Sequence, residues 1–415
     1  MKTADRPTRG ARQMSHHLHR TTTLLSVVAL LAACGGEKGL LDSAATLQAD
    51  LKPANEANIL TIEHLVPHIS TVPANAGAGV QLSVHERVRE ENGRIERPRV
   101  VLFLHGNTFP GVPGADLRLK PYDWMLALAK AGFDAFTMDQ SGYGFSPRPA
   151  MDNPCNADPA QQASILIPRP LSTTCPATYP FRFATAQTEW DEIDRVVDYL
   201  RALRGVERID LVGWSVGGRR AGSYAAGHPD KVGKLLLLAP VYTATESSAP
   251  PTVLPQPGFP MTVATRAATY ASLWTPGIRC EGQVEDGIGD YIWDATTAFD
   301  PVGRTWGPPE GVTRVRTVNY WGWNRAAAGA LSVPVLIISG EFDTVARTTD
   351  ALYGDLGTAD KLHVLVQCAS HLMPWEMQAR NLHNLSIYFL RHGTVAGLDQ
   401  GKFYMDTEGN LTLRE

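Results

Sequence analysis

No apolar run in this chain is long enough to cross a bilayer. The longest, near the N-terminus, holds about ten residues, whereas a span needs roughly 18. Neither charge sign is in large surplus: the formal net charge is −4 over 415 residues. Lys2, Arg6, Arg9, Arg12 and Arg20 against Asp5 put +4 on the first 33 residues, which leaves −8 on the rest. An acidic body argues against nucleic acid as a partner. Metal patterns are missing as well. No Cys-x-x-Cys and no His-Glu-x-x-His occurs, no Gly-x-Gly-x-x-Gly follows a strand-like run, and there is no Walker loop. No cofactor and no metal are therefore expected. No internal repeat or low-complexity tract is evident.

What is present begins with a leader. A basic region ends at Arg20, and the apolar core Leu24 to Leu30 follows. Its length and basic flank fit a signal peptide over 1–33. Leu31-Ala32-Ala33-Cys34 resembles a bacterial lipobox. That resemblance implies cleavage before Cys34 and lipidation of its thiol, which makes the membrane a partner. Gly35 after the cysteine is similar to lipoproteins sent to the outer membrane, facing the periplasm or the cell surface. A plain secretory signal would leave the chain periplasmic or secreted. Residues 34–58 are small and polar and read as a tether.

Cysteine is scarce, with five residues in all. Export places Cys155, Cys175, Cys280 and Cys368 in an oxidising compartment. Four cysteines allow three pairings. The most local one joins Cys155 to Cys175, and Cys280 with Cys368 then follows. Four separate buried thiols are the alternative.

From Ile59 the pattern becomes that of a fold. Ile59–Ile62 and Val80–His85 read as strands, the second alternating apolar and polar as an antiparallel strand does. Val100–Leu104 is a continuous apolar run, the mark of a strand covered on both faces. Tyr122–Ala131 reads as a helix and Phe133–Met138 as a strand. Trp190, Ile193, Val196, Val197, Leu200 and Leu203 form a helical stripe. Strands follow at Ile209–Val212, Leu235–Leu238, Val335–Ile338 and Leu362–Val366, with a last helix near Met377–Leu390. Alternating buried strands and helices predict a mostly parallel sheet with helices on both faces.

Two stretches break the alternation. Residues 146–179 form a Pro-rich loop with two cysteines. Residues 241–332 are too long for a bare loop and read as a cap, inserted after the strand at 235–239. The core is then 59–240 and 333–415. Trp274, Trp293, Trp306, Trp321 and Trp323 within the cap suggest either an aromatic entrance or the cap's own core.

Ligands of such sheets bind at the carboxyl ends of the strands. His105-Gly106-Asn107 follows the first buried strand, and Asp139 to Ser146 the second. Gly213-Trp214-Ser215-Val216-Gly217 follows Ile209–Val212. Asp343 and His371 follow the last two. A serine hydroxyl needs a base, and the base an orienting acid, to become a nucleophile. Ser215, Asp343 and His371 supply these in the order Ser, Asp, His. Glu341 rivals Asp343, and His363, His383 and His392 rival His371.

These strand-end motifs together resemble the α/β-hydrolase family. The resemblance implies that Ser215 is the nucleophile, His371 the general base and then acid, and Asp343 its orienting partner. It places an oxyanion hole at the backbone N–H groups of Val216 and Asn107, each donor worth roughly 3 kcal/mol of barrier. It makes Asp139 and His105 structural. Arg219 and Arg220 read either as an anion site or as a solvated or ion-paired structural pair. Ester hydrolysis is the commonest activity of the family, so a small-molecule ester is the expected substrate, by analogy. An amidase or aminopeptidase is the alternative, then a thioesterase or carbon–carbon hydrolase. A non-catalytic envelope binding protein is the reading from another class. If Cys280 pairs with Cys368, the bond ties the cap to the loop that carries His371.

Overall fold

The computed structural model describes residues 58–414, except 92, 94 and 96–98. The expected leader, Cys34 and all of the tether but Asn58 lie outside the described residues. No helix among the described residues is long and apolar enough to cross a membrane.

Ten strands form one sheet: β1 (Ile59–Ile69), β2 (Gly79–Arg89), β3 (Arg99–Leu104), β4 (Phe133–Met138), β6 (Ile209–Trp214), β7 (Val232–Leu238), β11 (Val335–Gly340), β12 (Lys361–Val366), β13 (Gly401–Met405) and β14 (Leu411–Arg414). Their order is β1-β2-β4-β3-β6-β7-β11-β12-β13-β14. From β4 to β13 every neighbouring pair is parallel. The edges, β1 with β2, β2 with β4, and β13 with β14, are antiparallel.

The continuous apolar runs follow from burial on both faces. In β3, Val101 and Phe103 enter one core, while Val100, Leu102 and Leu104 enter the other. In β11, Leu336 and Ile338 face the first core, and Val335 and Ile337 the second. Helices α1 (Gly111–Ala115), α2 (Trp124–Lys130) and α9 (Ala379–His392) cover the first face. Helices α3 (Ala186–Arg204), α4 (Val216–Gly227), α7 (Arg325–Ala330) and α8 (Thr349–Asp355) cover the second. The stripe on α3 explains its seat: Ile193, Val196, Val197 and Leu200 are fully buried, while Leu203 at the end of the stripe is 38 % exposed. Thr185 caps its start by accepting from the Thr188 N–H, and left-handed Gly205 ends it.

Local chemistry moved several boundaries. Helix α2 begins at Trp124, because the Asp123 carboxylate accepts from the Leu126 N–H and caps it there. Strands β1 and β2 pair over eleven residues each, well beyond the short apolar runs that announce them. Strands β13 and β14 extend the sheet past the last helix and have no counterpart in the sequence reading.

The two irregular stretches join. Strands β8 (Met261–Thr265) and β9 (Val312–Arg316) pair within the 241–332 segment, beside helices α5 (Arg266–Leu273) and α6 (Ile288–Ala298). Strand β5 (Ala184–Thr185) pairs with β10 (Val318–Asn319), linking the end of the Pro-rich loop to that segment. Met151, Ala157, Leu166 and Phe183 share a third apolar core with Met261, Val263, Trp306 and Val312. Neither stretch buries this surface alone. From Trp323 to Leu331 the segment returns to the second core, where a Cβ on Gly222 would overlap the Trp323 ring.

Disulfides join Cys155 to Cys175 and Cys280 to Cys368, across 20 and 88 residues. Loop-closure entropy makes the longer bridge worth about 1 kcal/mol more. The pair Cys280→Ala/Cys368→Ala should therefore lose more stability than Cys155→Ala/Cys175→Ala in urea unfolding. The reverse order would show that loop entropy does not govern these bonds.

Candidate active site

The carboxyl ends of the parallel strands share one rim, and the candidate residues leave the sheet there. Strand β6 ends at Trp214 and α4 starts at Val216, so Ser215 alone makes the turn, with φ 58° and ψ −119°. Such a conformation costs a non-glycine residue about 1–3 kcal/mol and must be held by its surroundings. Ser215 N–H donates to the Leu238 carbonyl (2.9 Å), and its own carbonyl accepts from the Gly218 and Val241 N–H groups (3.0 Å each). The flanking glycines are steric requirements. A Cβ on Gly217 would overlap the Leu104 carbonyl, and one on Gly213 the Gly217 carbonyl.

His371 Nε2 lies 2.9 Å from Ser215 Oγ, and His371 Nδ1 lies 2.9 Å from Asp343 Oδ2. Ser215 and the side chains of His371 and Asp343 are buried. The Nδ1–H therefore donates to the carboxylate, which leaves Nε2 to accept a hydrogen bond from the Ser215 hydroxyl. The other carboxylate oxygen, Oδ1, accepts from the N–H groups of Val345 (2.7 Å) and Ala346 (2.9 Å). Burial works to raise the Asp343 carboxyl, but the His371 bond and charge and the two N–H donors outweigh it. The group is held below its ordinary value and stays ionised.

Below the histidine sits Glu376, a residue the sequence did not mark. It accepts from Ser370 N–H (2.8 Å), the Ser370 hydroxyl, Gln283 Nε2 (3.1 Å) and Trp274 Nε1 (2.8 Å). Burial raises its carboxyl nonetheless. Trp214 Nε1 donates to the His371 carbonyl (3.0 Å).

A cavity of about 230 Å³ opens beside Ser215. Phe109, Trp214, Val241, Leu273 and Leu372 give it apolar walls, and among the described residues no Asp, Glu, Lys or Arg borders it. Gly106, Asn107 and Val216 line it too. A Cβ on Gly106 would sit 3.4 Å from that of Ser215, so the His105-Gly106-Asn107 turn lies directly against the serine. Val216 opens a helix, and first-turn N–H groups have no intrahelical acceptor.

The other candidates fall elsewhere. Glu341 Oε2 accepts from Cys368 N–H (3.2 Å) and does not touch His371. Asp139 accepts from the N–H groups of Gly111 (2.8 Å) and Phe145 (3.3 Å), holding two loops together. Burial and the Arg220 charge push the His105 imidazole well below its ordinary value, and its Nδ1–H donates to the Gly106 carbonyl (2.6 Å). His363 is lowered to about 4 by burial and lies against Ser339 Oγ (2.8 Å). Burial lowers His383 to about 3, stacked on Trp124. His392 lies at the far end of α9. Arg220 pairs with Glu189 (2.8 Å) in full burial, and Arg219 pairs with Glu246, so neither faces the cavity. The aromatic-entrance reading of the tryptophans fails. Trp274, Trp293, Trp306, Trp321 and Trp323 are all buried in cores, and none lines the cavity. The wall is instead Trp214, within the serine turn, and Leu273. Tyr143 was also missed. Its hydroxyl donates to the Asn107 carbonyl (2.6 Å), with Asn107 Oδ1 3.1 Å away. Its place in the Asp139–Ser146 run was the only signal.

Residues 99–271 match the family model described as alpha/beta hydrolase fold. No curated protein matches the chain in sequence. Among solved structures, epoxide hydrolase VrEH1 from Vigna radiata is similar at 17% identity, covering 81% of this chain and 99% of that one, with a TM-score of 0.47. A meta-cleavage product hydrolase from Pseudomonas fluorescens IP01 is similar at 16% identity, covering 80% and 98%, with a TM-score of 0.47. A thioesterase domain from the curacin biosynthetic pathway is similar at 15% identity, covering 79% and 99%, with a TM-score of 0.44. None of these likenesses bears on which bond this chain breaks. The matching core and the ten-stranded, mostly parallel sheet lead to one conclusion: the chain has the α/β-hydrolase fold.

Proposed function

We propose that this chain is a serine hydrolase of small, uncharged carboxylic esters. The observation that carries the reading is the line of hydrogen bonds from Ser215 through His371 to Asp343, both at 2.9 Å, opening on an uncharged cavity. In the proposed reaction His371 Nε2 takes the Ser215 proton as Oγ attacks the ester carbonyl carbon. The oxyanion is received by the N–H groups of Val216 and Asn107. The carbonyl reforms, the alkoxy C–O bond breaks, and the imidazolium gives its proton to the departing alcohol. A water, deprotonated by His371, then attacks the acyl carbon; the bond to Ser215 Oγ breaks, the imidazolium returns its proton to Oγ, and the acid leaves. Asp343 holds the imidazole tautomer and offsets its transient charge.

Cavity size limits the substrate. An apolar cavity of roughly 150 Å³ accepts benzene, so 230 Å³ suits a short acyl chain or one aromatic ring. The segment 241–332 serves as a cap in this reading, supported by Leu273, which supplies one wall. We also propose an exported lipoprotein, anchored through Cys34. Two disulfides support an oxidising compartment.

A fluorophosphonate probe should label the wild type and leave Ser215→Ala unlabelled. Equal labelling of both would remove Ser215 from its role. Asp343→Asn should retain its fold and lose about 10,000-fold in kcat through the wrong imidazole tautomer. A loss below tenfold would overturn the orienting role. Across p-nitrophenyl esters, kcat/KM should peak at short acyl chains. Turnover of aminoacyl anilides alone would replace the ester reading with an amidase. Cys34→Ser should move the protein from the membrane fraction to the soluble one, and unchanged fractionation would defeat the anchor.

A further inference from the structure

The serine, histidine and aspartate account for proton transfer, but not for how the Asn107 N–H keeps its aim. Asn107 lies in an irregular turn, and a loop peptide can rotate. The chain around it is held from behind by residues that do not border the cavity.

We propose that Tyr143 and Arg220 are positioning residues that fix the two peptide groups flanking Asn107 and thereby build half of the oxyanion hole. The inference rests on the serine-hydrolase reading. The Gly106–Asn107 peptide is a rigid plane whose C=O and N–H point in opposite directions. Its carbonyl, on Gly106, accepts from His105 Nδ1 (2.6 Å) and faces Arg220 Nη1 (3.4 Å). That turns the Asn107 N–H to the other side, where Gly106, Asn107 and Ser215 line the cavity. Arg220 Nη1 also donates to the His105 carbonyl (2.7 Å), so it grips two successive carbonyls. The next peptide is fixed by Tyr143, whose hydroxyl donates to the Asn107 carbonyl (2.6 Å).

The grip is itself anchored. Arg220 Nε donates to Glu189 Oε1 (2.8 Å), and Arg316 Nη2 donates to the same oxygen (2.5 Å). Arg316 Nη1 donates to the Ser141 carbonyl (2.6 Å), within the turn that carries Tyr143. Tyr143, Glu189, Arg220 and Arg316 are each at most 2 % exposed. Arg316 comes from β9, so the 241–332 segment braces the turn from a distance. Nothing in this cluster touches a substrate; it sets the direction of one N–H.

Tyr143→Phe removes one hydroxyl and keeps the ring. With p-nitrophenyl butyrate we expect kcat to fall about 10- to 100-fold, less than outright deletion of an oxyanion donor. KM should stay within twofold and the thermal midpoint within a few degrees. The inhibition constant of an alkylboronic acid, which forms a tetrahedral adduct on the serine, should rise in step with the fall in kcat. Binding of the product acid should not change. Arg220→Lys keeps a cation against Glu189 but loses the forked N–H pair, and should show the same kcat-selective loss. A Tyr143→Phe enzyme with wild-type kcat and boronate affinity would overturn the proposal while leaving the hydrolase reading intact. So would a loss that merely tracks the thermal midpoint. A wild type that fluorophosphonate and boronate both leave untouched would overturn the hydrolase reading and this inference together.

Discussion

The site depends on how closely the first turn of α4 approaches the end of β3. At Gly217 there is room for a hydrogen and nothing more, because the Leu104 carbonyl occupies the place of a Cβ. That approach has three consequences. It forces Ser215 into a conformation that its neighbours must hold. It brings the turn after β3 against the serine, with Gly106 as the contact. It also lays the second basic residue of α4, Arg220, across the His105 carbonyl (2.7 Å). A single steric condition thus brings together the proposed nucleophile, the proposed oxyanion donors and their support. The positive end of the helix dipole adds to the field at Val216, where negative charge would develop.

The charges around the site are divided. Among the described residues no Asp, Glu, Lys or Arg borders the cavity, so an uncharged group could enter without desolvating a charged partner. Behind it, Glu189 accepts from two arginines, and Asp343 is satisfied by His371 and two backbone N–H groups. Buried charges at such positions are tolerable only when every partner is in place. Removal of one partner leaves the other uncompensated, which is why these groups specify geometry more than they add stability.

Much of this was legible in the sequence, for physical reasons. Parallel strands covered on both faces must be apolar throughout, so Val100–Leu104 and Val335–Ile338 announce themselves. Their polar followers then fall on one rim. Ser215, Asp343 and His371 were marked by position in that scheme, and the structure brings them into hydrogen-bond reach. Tyr143 was not legible, since its function lies in a hydroxyl meeting a carbonyl 36 residues away. Glu376 was missed for the same reason: its partners Trp274 and Gln283 are about a hundred positions upstream. The tryptophans left two readings open, since composition cannot tell a lining ring from a core ring, and burial decides for the core. The strands β13 and β14 escaped because Lys402, Tyr404 and Thr412 break their apolar pattern at a sheet edge.

The 241–332 segment is tied to both halves of the site. On the serine side, Arg316 joins Glu189 and, through it, Arg220. On the histidine side, Cys280 is bonded to Cys368, and Trp274 and Gln283 both donate to Glu376, which holds the backbone at Ser370. A cover that swings open as a unit would have to part the buried Arg316 and Glu189, and would still be held by the disulfide. Access to the cavity is then better served by small shifts of its wall than by a hinge. Leu273 ends a short helix, and Val345 stands half exposed at the rim; neither belongs to the ties just named. The same segment that would choose the substrate also braces the machinery that would act on it, so changes made to alter specificity there should avoid Arg316, Cys280, Gln283 and Trp274.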